Sequence, residues 1–331
     1  MCFDYIEKTL ENTDFLKIDG RTYFDNGLFI SWSNSGVSLK FKGNKIEFNF
    51  KDYETEQPIY VKLYADDNNL RLTVPKTYSK VVYDFDNDKA HTVKLLRISE
   101  DDVPLVLESI KIYGKNPEFL LPPEEKNLKL EFFGDSITAG YGVLASKDQN
   151  AYYTYEQDST KAYAYMTAEI LNAEIRTECI SGQGVFKNAI GQTGYQFKRI
   201  FDMNIRVKDG YDHTQWTPDV VILNCGTNDV PGGTDKETMY KEGISLVEKV
   251  RSTYPEAKII WTYGMMNEFF KDTFKKLVSD INKKGNKNVY YLPLEKISAD
   301  KDEVGANGHP NVNASKRVSK KLAKFILKIL S

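Results

Sequence analysis

Polar and apolar residues alternate along the first third of the chain. Ser38-Leu39-Lys40-Phe41 and Lys45-Ile46-Glu47-Phe48-Asn49-Phe50 put every second side chain on an apolar face, the signature of a half-buried strand. The same reading gives short strands over Leu28–Trp32, Val37–Phe41, Lys45–Phe50, Ile59–Tyr64, Leu70–Val74, Lys80–Phe85, His91–Leu96 and Leu105–Tyr113. Turn chemistry falls between several of them, in Ser33-Asn34-Ser35-Gly36, Lys42-Gly43-Asn44, Asp66-Asp67-Asn68-Asn69 and Asp86-Asn87-Asp88. About eight short strands with frequent turns predict a β-sandwich or jelly roll.

The pattern then changes. Leu121-Pro122-Pro123 interrupts it, and a double proline fits neither a central strand nor a helix interior. Beyond it, short apolar runs at Leu128–Phe133, Val220–Leu223, Lys258–Thr262 and Val289–Leu292 alternate with helical stretches at Ala162–Leu171, Lys236–Tyr254 and Phe269–Asn282. A last helix carries Val318, Leu322, Phe325, Ile326 and Ile329 on one face. This βα alternation predicts a parallel sheet covered by helices. Two domains are expected, 1–121 and 127–331.

Composition narrows the function classes. The chain has 331 residues and a formal net charge of -2, so no global charge draws it to nucleic acid or an anionic membrane. No apolar run approaches membrane-spanning length. The three cysteines, Cys2, Cys179 and Cys225, are odd in number and unpaired in spacing, which speaks against a disulfide framework or a structural zinc site. The start, MCFDYIEKTLENTD, has neither a basic head nor an apolar segment and does not read as a signal peptide. As written, the chain is expected to be soluble and cytoplasmic; a secreted protein trimmed of its leader would read the same. Oligomeric state stays open.

Candidate chemistry sits after the predicted strands, where open α/β sheets bind ligands. After the first stands Gly134-Asp135-Ser136-Ile137-Thr138-Ala139-Gly140-Tyr141-Gly142; a serine there can project into a cleft, or the stretch is only a capped turn. Later come Cys179-Ile180-Ser181-Gly182-Gln183-Gly184 and Gly226-Thr227-Asn228-Asp229. Gly182 offers a backbone N–H that can approach a substrate oxygen closely, and Asn228 a side-chain donor; each could equally be turn chemistry. Of three histidines, His91 falls in a predicted strand and His213 in a polar stretch read as an exposed loop. His309, between glycine-flanked residues and the last helix, is the candidate base.

Taken in order, GDS, the Ser-Gly turn, GTND and the late His-Pro resemble the SGNH (GDSL-like) hydrolase superfamily over roughly 127–331. The preceding β domain, the extended GDSITAGYG, Trp216-Thr217-Pro218-Asp219 leading into GTND, Tyr263-Gly264-Met265-Met266 and Gly308-His309-Pro310-Asn311 resemble carbohydrate esterase family 2 more narrowly. The resemblance implies a jelly roll followed by a flavodoxin-like hydrolase domain with a central parallel sheet. It implies Ser136 as nucleophile, His309 as base, and Ser136, Gly182 and Asn228 as the oxyanion hole. It implies O-acetyl removal from xylan or mannan through an acyl-enzyme, with no metal and no cofactor. Where many SGNH enzymes carry aspartate three residues before the histidine, this chain has Ala306. A backbone carbonyl, Asp302 or Glu303 is left to orient His309.

The substrate expected is an acetylated carbohydrate. Tyr141, Tyr263 and Trp216 stand near predicted strand ends as candidate sugar platforms, whereas Trp261 reads as core. The polar, Tyr-rich stretch Lys147–Lys161 favours a hydrophilic substrate over a lipid. An SGNH lipase or thioesterase acting on other acyl esters, and a non-catalytic carbohydrate-binding protein, are the alternatives.

Overall fold

A computed structural model describes residues 4–194 and 196–331; Cys2 lies outside the described residues. The chain divides into two compact units, the first running through Glu125 and reclaiming residues 205–207, the second comprising 126–204 and 208–331. No helix among the described residues is long and apolar enough to cross a membrane.

The first unit is antiparallel, with ten strands joined by hydrogen bonds. Two of the expected turns are absent. Lys42-Gly43-Asn44 lies inside one strand, Gly36–Phe50, and Asp86-Asn87-Asp88 inside another, Lys80–Arg97. The physical reason is a β-bulge: the pairing of these two strands shifts register between Gly43, opposite Lys89, and Lys45, opposite Asp84, so the polar stretch 85–88 is taken up outside the ladder. Before the shift Val37, Leu39 and Phe41 are buried; after it Ile46, Phe48 and Phe50 are, all in one apolar cluster. An extra residue flips side-chain parity, so the bulge keeps both halves of the strand facing the same core.

The second unit carries five parallel strands. They are β1 (Lys129–Gly134), β2 (Glu174–Cys179), β3 (Val220–Asn224), β4 (Lys258–Tyr263) and β5 (Val289–Pro293). Their spatial order is β2-β1-β3-β4-β5, the flavodoxin-like order whose switch point lies between β1 and β3. The sequence pattern misses β2 because Glu174, Arg176 and Glu178 alternate along it and it has a neighbour on one side only. Besides a four-residue helix at Phe197–Ile200, the α-helices among the described residues of this unit are α1 (Ser136–Ala139), α2 (Tyr163–Leu171), α3 (Lys236–Thr253), α4 (Lys271–Lys283) and α5 (Val312–Leu330). On α5, Val318, Leu322 and Ile326 are buried as the 3.6-residue period requires.

Register places the site. Gly134 at the end of β1 pairs with Cys179 at the end of β2 and with Asn224 at the end of β3. The three loops that carry the candidate residues therefore leave the sheet at one level. Gly134 is also where the chain turns into α1: a Cβ there would stand 1.9 Å from Thr138 Oγ1. Gly134→Ala is expected to displace Thr138 from Tyr163, whose hydroxyl lies 3.0 Å away, and to destabilise the fold by about 1–3 kcal/mol. Thermal unfolding checks this: the midpoint should fall.

Candidate active site

Ser136 opens α1, a single short helix. Asp135 caps it, its Oδ1 accepting the Ile137 N–H at 3.0 Å, and Gly140 closes it in the left-handed region at φ 77°. The first N–H groups of a helix have no partner within it. Ser136 is 5% exposed, so its hydroxyl works in a largely dry setting.

His309 reaches that hydroxyl from the loop before α5. Its Nε2 lies 2.8 Å from Ser136 Oγ. Its Nδ1 lies 3.2 Å from the carbonyl oxygen of Ala306. A carbonyl only accepts, so this contact is a hydrogen bond when Nδ1 carries the proton and Nε2 is left basic toward the serine. The loop is pinned independently: Gly305 N–H donates to the His309 carbonyl at 2.7 Å, and the Ala306 carbonyl accepts the His309 N–H at 2.9 Å. The methyl of Ala306 is buried against Gly142; a Cβ on Gly142 would stand 2.4 Å from it.

The two carboxylates open as orienting groups are engaged elsewhere. Glu303 accepts from Arg317 Nε at 2.5 Å and Nη2 at 3.0 Å, and from the Ser298 N–H. The Arg317 hydrogen bonds hold its carboxyl below the usual carboxylate range against the opposing effect of burial. Asp302 Oδ2 accepts from Asn313 Nδ2 at 3.0 Å.

Asn228 ties the remaining loops together. Its Nδ2 donates to the Gln183 carbonyl at 2.9 Å and, over a longer 3.3 Å, to Asp135 Oδ2. Next to it, the buried Asp229 accepts three consecutive backbone N–H groups, from Val185, Phe186 and Lys187, at 2.7–3.0 Å. Burial pushes the Asp229 carboxyl up and those amides pull it down. Gly182 sits in the same loop at φ 80°, with open space where a Cβ would be. Its glycine is thus required by backbone conformation rather than by close packing. Gln183 and Asp229 were missed by sequence reading; adjacency to Gly182 and Asn228 was the only signal.

Tyr141 lies beside His309, ring centroids 4.3 Å apart, and against Tyr152 at 4.5 Å. Two of the expected sugar platforms are corrected. Tyr263 is 1% exposed and packs on Phe274 and Phe270 under Gly226. Trp216 is 7% exposed and packs against Arg176 and Lys129. It precedes β3, so it lies at the amino ends of the parallel strands, opposite Ser136. His213 is half-buried although Asp212, Thr214 and Gln215 around it are exposed; it stacks on Phe201 and bonds the Tyr254 hydroxyl at 2.7 Å. His91 lies in the first unit, bonded to Asp66 at 2.6 Å. Cys225 is buried and its thiol is pushed well up by burial and by the Asp229 and Asp135 charges, so it is no rival nucleophile. Trp261 is core, stacked on Phe274.

Residues 132–316, more than half of the chain, match the GDSL-like Lipase/Acylhydrolase family. The chain belongs to that family. Residues 18–123, within the first unit, match the carbohydrate esterase 2 N-terminal family. Among similar proteins is the Cellulase/esterase CelE of Acetivibrio thermocellus, 26% identical over 325 residues, covering 94% of this chain. The chain spans only 39% of CelE's length. An Acetylxylan esterase / glucomannan deacetylase of Cellvibrio japonicus is 25% identical over 272 residues, 75% of this chain and 71% of that protein. The solved structure of the acetyl xylan esterase Est2A from the rumen bacterium Butyrivibrio proteoclasticus superposes with a TM-score of 0.89 at 21% identity, covering 98% of this chain and 99% of that one. At that identity the likeness carries the fold.

The site of this GDSL-family chain separates two roles for its late carboxylates. Glu303→Gln is expected to leave the pH profile of hydrolysis in place while costing about 1–3 kcal/mol of stability at pH 7, through the weakened bond to Arg317. Glu303 has a lowered carboxyl pKa in the folded state, so its contribution is present above the ordinary carboxylate range and fades as pH falls through the lowered value. Denaturant titrations of both proteins at neutral and acid pH check this: the gap should narrow on acidification.

Proposed function

We propose that this chain is a serine carboxylic ester hydrolase that releases acetyl groups from acetylated plant-type polysaccharides or oligosaccharides, xylan or mannan among them. The observation that carries the reading is the 2.8 Å approach of His309 Nε2 to Ser136 Oγ, with Nδ1 facing a carbonyl. Ser136 is the nucleophile and His309 the base, working as a dyad.

As Ser136 Oγ attacks the ester carbonyl carbon, His309 Nε2 takes its proton. The tetrahedral oxyanion is met by the backbone N–H groups of Ser136 and Gly182 and by the Asn228 amide. Asn228 frees a donor for it by releasing its longer bond, the one to Asp135. Each such donor contributes about 10²–10³ in rate. His309 then passes its proton to the departing sugar oxygen, leaving acetyl-Ser136. Water, deprotonated by His309, attacks the acetyl carbon and frees acetate and the serine. A histidine held by a carbonyl lacks the charge a carboxylate would offer the imidazolium.

The acetyl preference and the glycan are supported by the name of the Cellvibrio japonicus relative and by the polar character of 147–161. Acetate release from acetylated xylan, acetylated mannan and short acetylated oligosaccharides is expected, and Ser136→Ala should remove it by at least about 10³-fold with the unfolding midpoint retained. Octanoyl nitrophenyl ester cleaved faster than the acetyl ester would instead establish a lipase-like acyl preference.

A further inference from the structure

The acetyl-transfer scheme leaves one electrostatic question: what helps to steady the imidazolium when Nδ1 faces the Ala306 carbonyl in place of a carboxylate three residues before it. Tyr141 is placed to answer it. Its ring lies 4.3 Å from the His309 ring, centroid to centroid, with the planes 33° apart. This is a tilted ring contact, close enough for the π-electrons of the phenol to act on the ring that becomes positive.

Tyr141 is itself held from several sides. Tyr152 stacks on it at 4.5 Å and 20°. Asn307 Nδ2 donates to its hydroxyl at 2.7 Å. Asn307 occupies the left-handed region at φ 50°, which asparagine tolerates, and its backbone N–H is bound to the Gln149 carbonyl at 2.8 Å. Tyr152 in turn donates to Gln157, whose Nε2 donates to the Ala139 carbonyl at 2.9 Å. Tyr141 therefore links the turn that follows Ser136 to the loop that carries His309. Tyr152 stacks on its ring and the His309 ring lies tilted against it.

We propose that Tyr141 is a positioning residue that fixes the plane of His309 and lends π-electron density to its protonated form, in place of a triad carboxylate. The inference rests on the reading of His309 as base. The ionisable groups named beside the histidine have partners of their own. Asp135, beside Ser136, bonds Ile137 N–H and Asn228. Asp302 and Glu303, on its own loop, bond Asn313 and Arg317. Glu156, on the Tyr152 segment, bonds Gln149. The phenols are Tyr141 and Tyr152.

The test is a pair of variants read by two methods. Tyr141→Leu keeps an apolar filling but removes the ring; Tyr141→Phe keeps the ring and removes the bond to Asn307. The His309 pKa is measured by NMR in a Ser136→Ala background, where only three histidines need assigning. Loss of the ring should lower it by about half a unit to one unit, while Tyr141→Phe should hold it within about 0.2 units. In the Ser136 enzyme, Tyr141→Leu should lower kcat on nitrophenyl acetate about tenfold with KM little changed, and move the acid limb of kcat/KM to lower pH by the same amount as the NMR pKa. A folded Tyr141→Leu with an unchanged or raised His309 pKa overturns the proposal, as does a Tyr141→Phe that loses as much as Tyr141→Leu. If the wild-type chain turns over no ester, the functional reading fails on its own, and the NMR measurement still decides the role of Tyr141.

Discussion

The level at which β2, β1 and β3 end governs the rest of the site. Parallel pairing sets Gly134 against both Cys179 and Asn224, so three loops spaced 45 residues apart along the chain emerge side by side. Nothing in the loops themselves would bring Ser136, Gly182 and Asn228 together. Given that register, short bonds complete the arrangement. Asn228 reaches the Gln183 carbonyl and Asp135, and Asp229 gathers the amides of 185–187. A one-residue slip of any of these strands would turn its side chains to the opposite face and offset its loop from the others.

The histidine loop is assembled differently. It approaches from the far end of the chain and is positioned by close packing against the segment after the serine. Gly142 leaves space that the Ala306 methyl fills, and Tyr141 meets both Asn307 and His309. The backbone carbonyl of Ala306 then takes the place where a carboxylate is common. A carbonyl dipole sets the tautomer as well as a carboxylate does, but it brings less charge to the imidazolium, which makes the aromatic contact consequential.

The β unit shows how local signals are overruled. Lys42-Gly43-Asn44 and Asp86-Asn87-Asp88 carry turn chemistry, yet both lie within continuous strands. Two neighbouring strands supply hydrogen bonds along almost the whole length of Gly36–Phe50, and the bulge preserves burial of apolar side chains on either side. At Lys42-Gly43-Asn44 a local propensity for a turn is worth less than a ladder of bonds with a common core behind it, whereas Asp86-Asn87-Asp88 falls in the bulge, outside that ladder. Strand β2 was hidden for the opposite reason: its charged alternation looks like a loop until its pairing with β1 is seen.

Sequence alone determined the identity and order of the candidate groups: a serine after an apolar strand, a glycine turn, an asparagine and a late histidine. It also determined the βα alternation, because burial of a parallel strand and of one helix face demands those periodicities. Trp216 could have been excluded at that level, since a residue preceding a parallel strand lies at the end away from the site. Tertiary structure alone decided that the Ala306 carbonyl faces His309, that Glu303 belongs to Arg317, and that Tyr263 is core while Tyr141 sits on the histidine. Backbone carbonyls have no sequence signature, and a carboxylate or a tyrosine takes whichever partner the packed loops bring within a few ångströms.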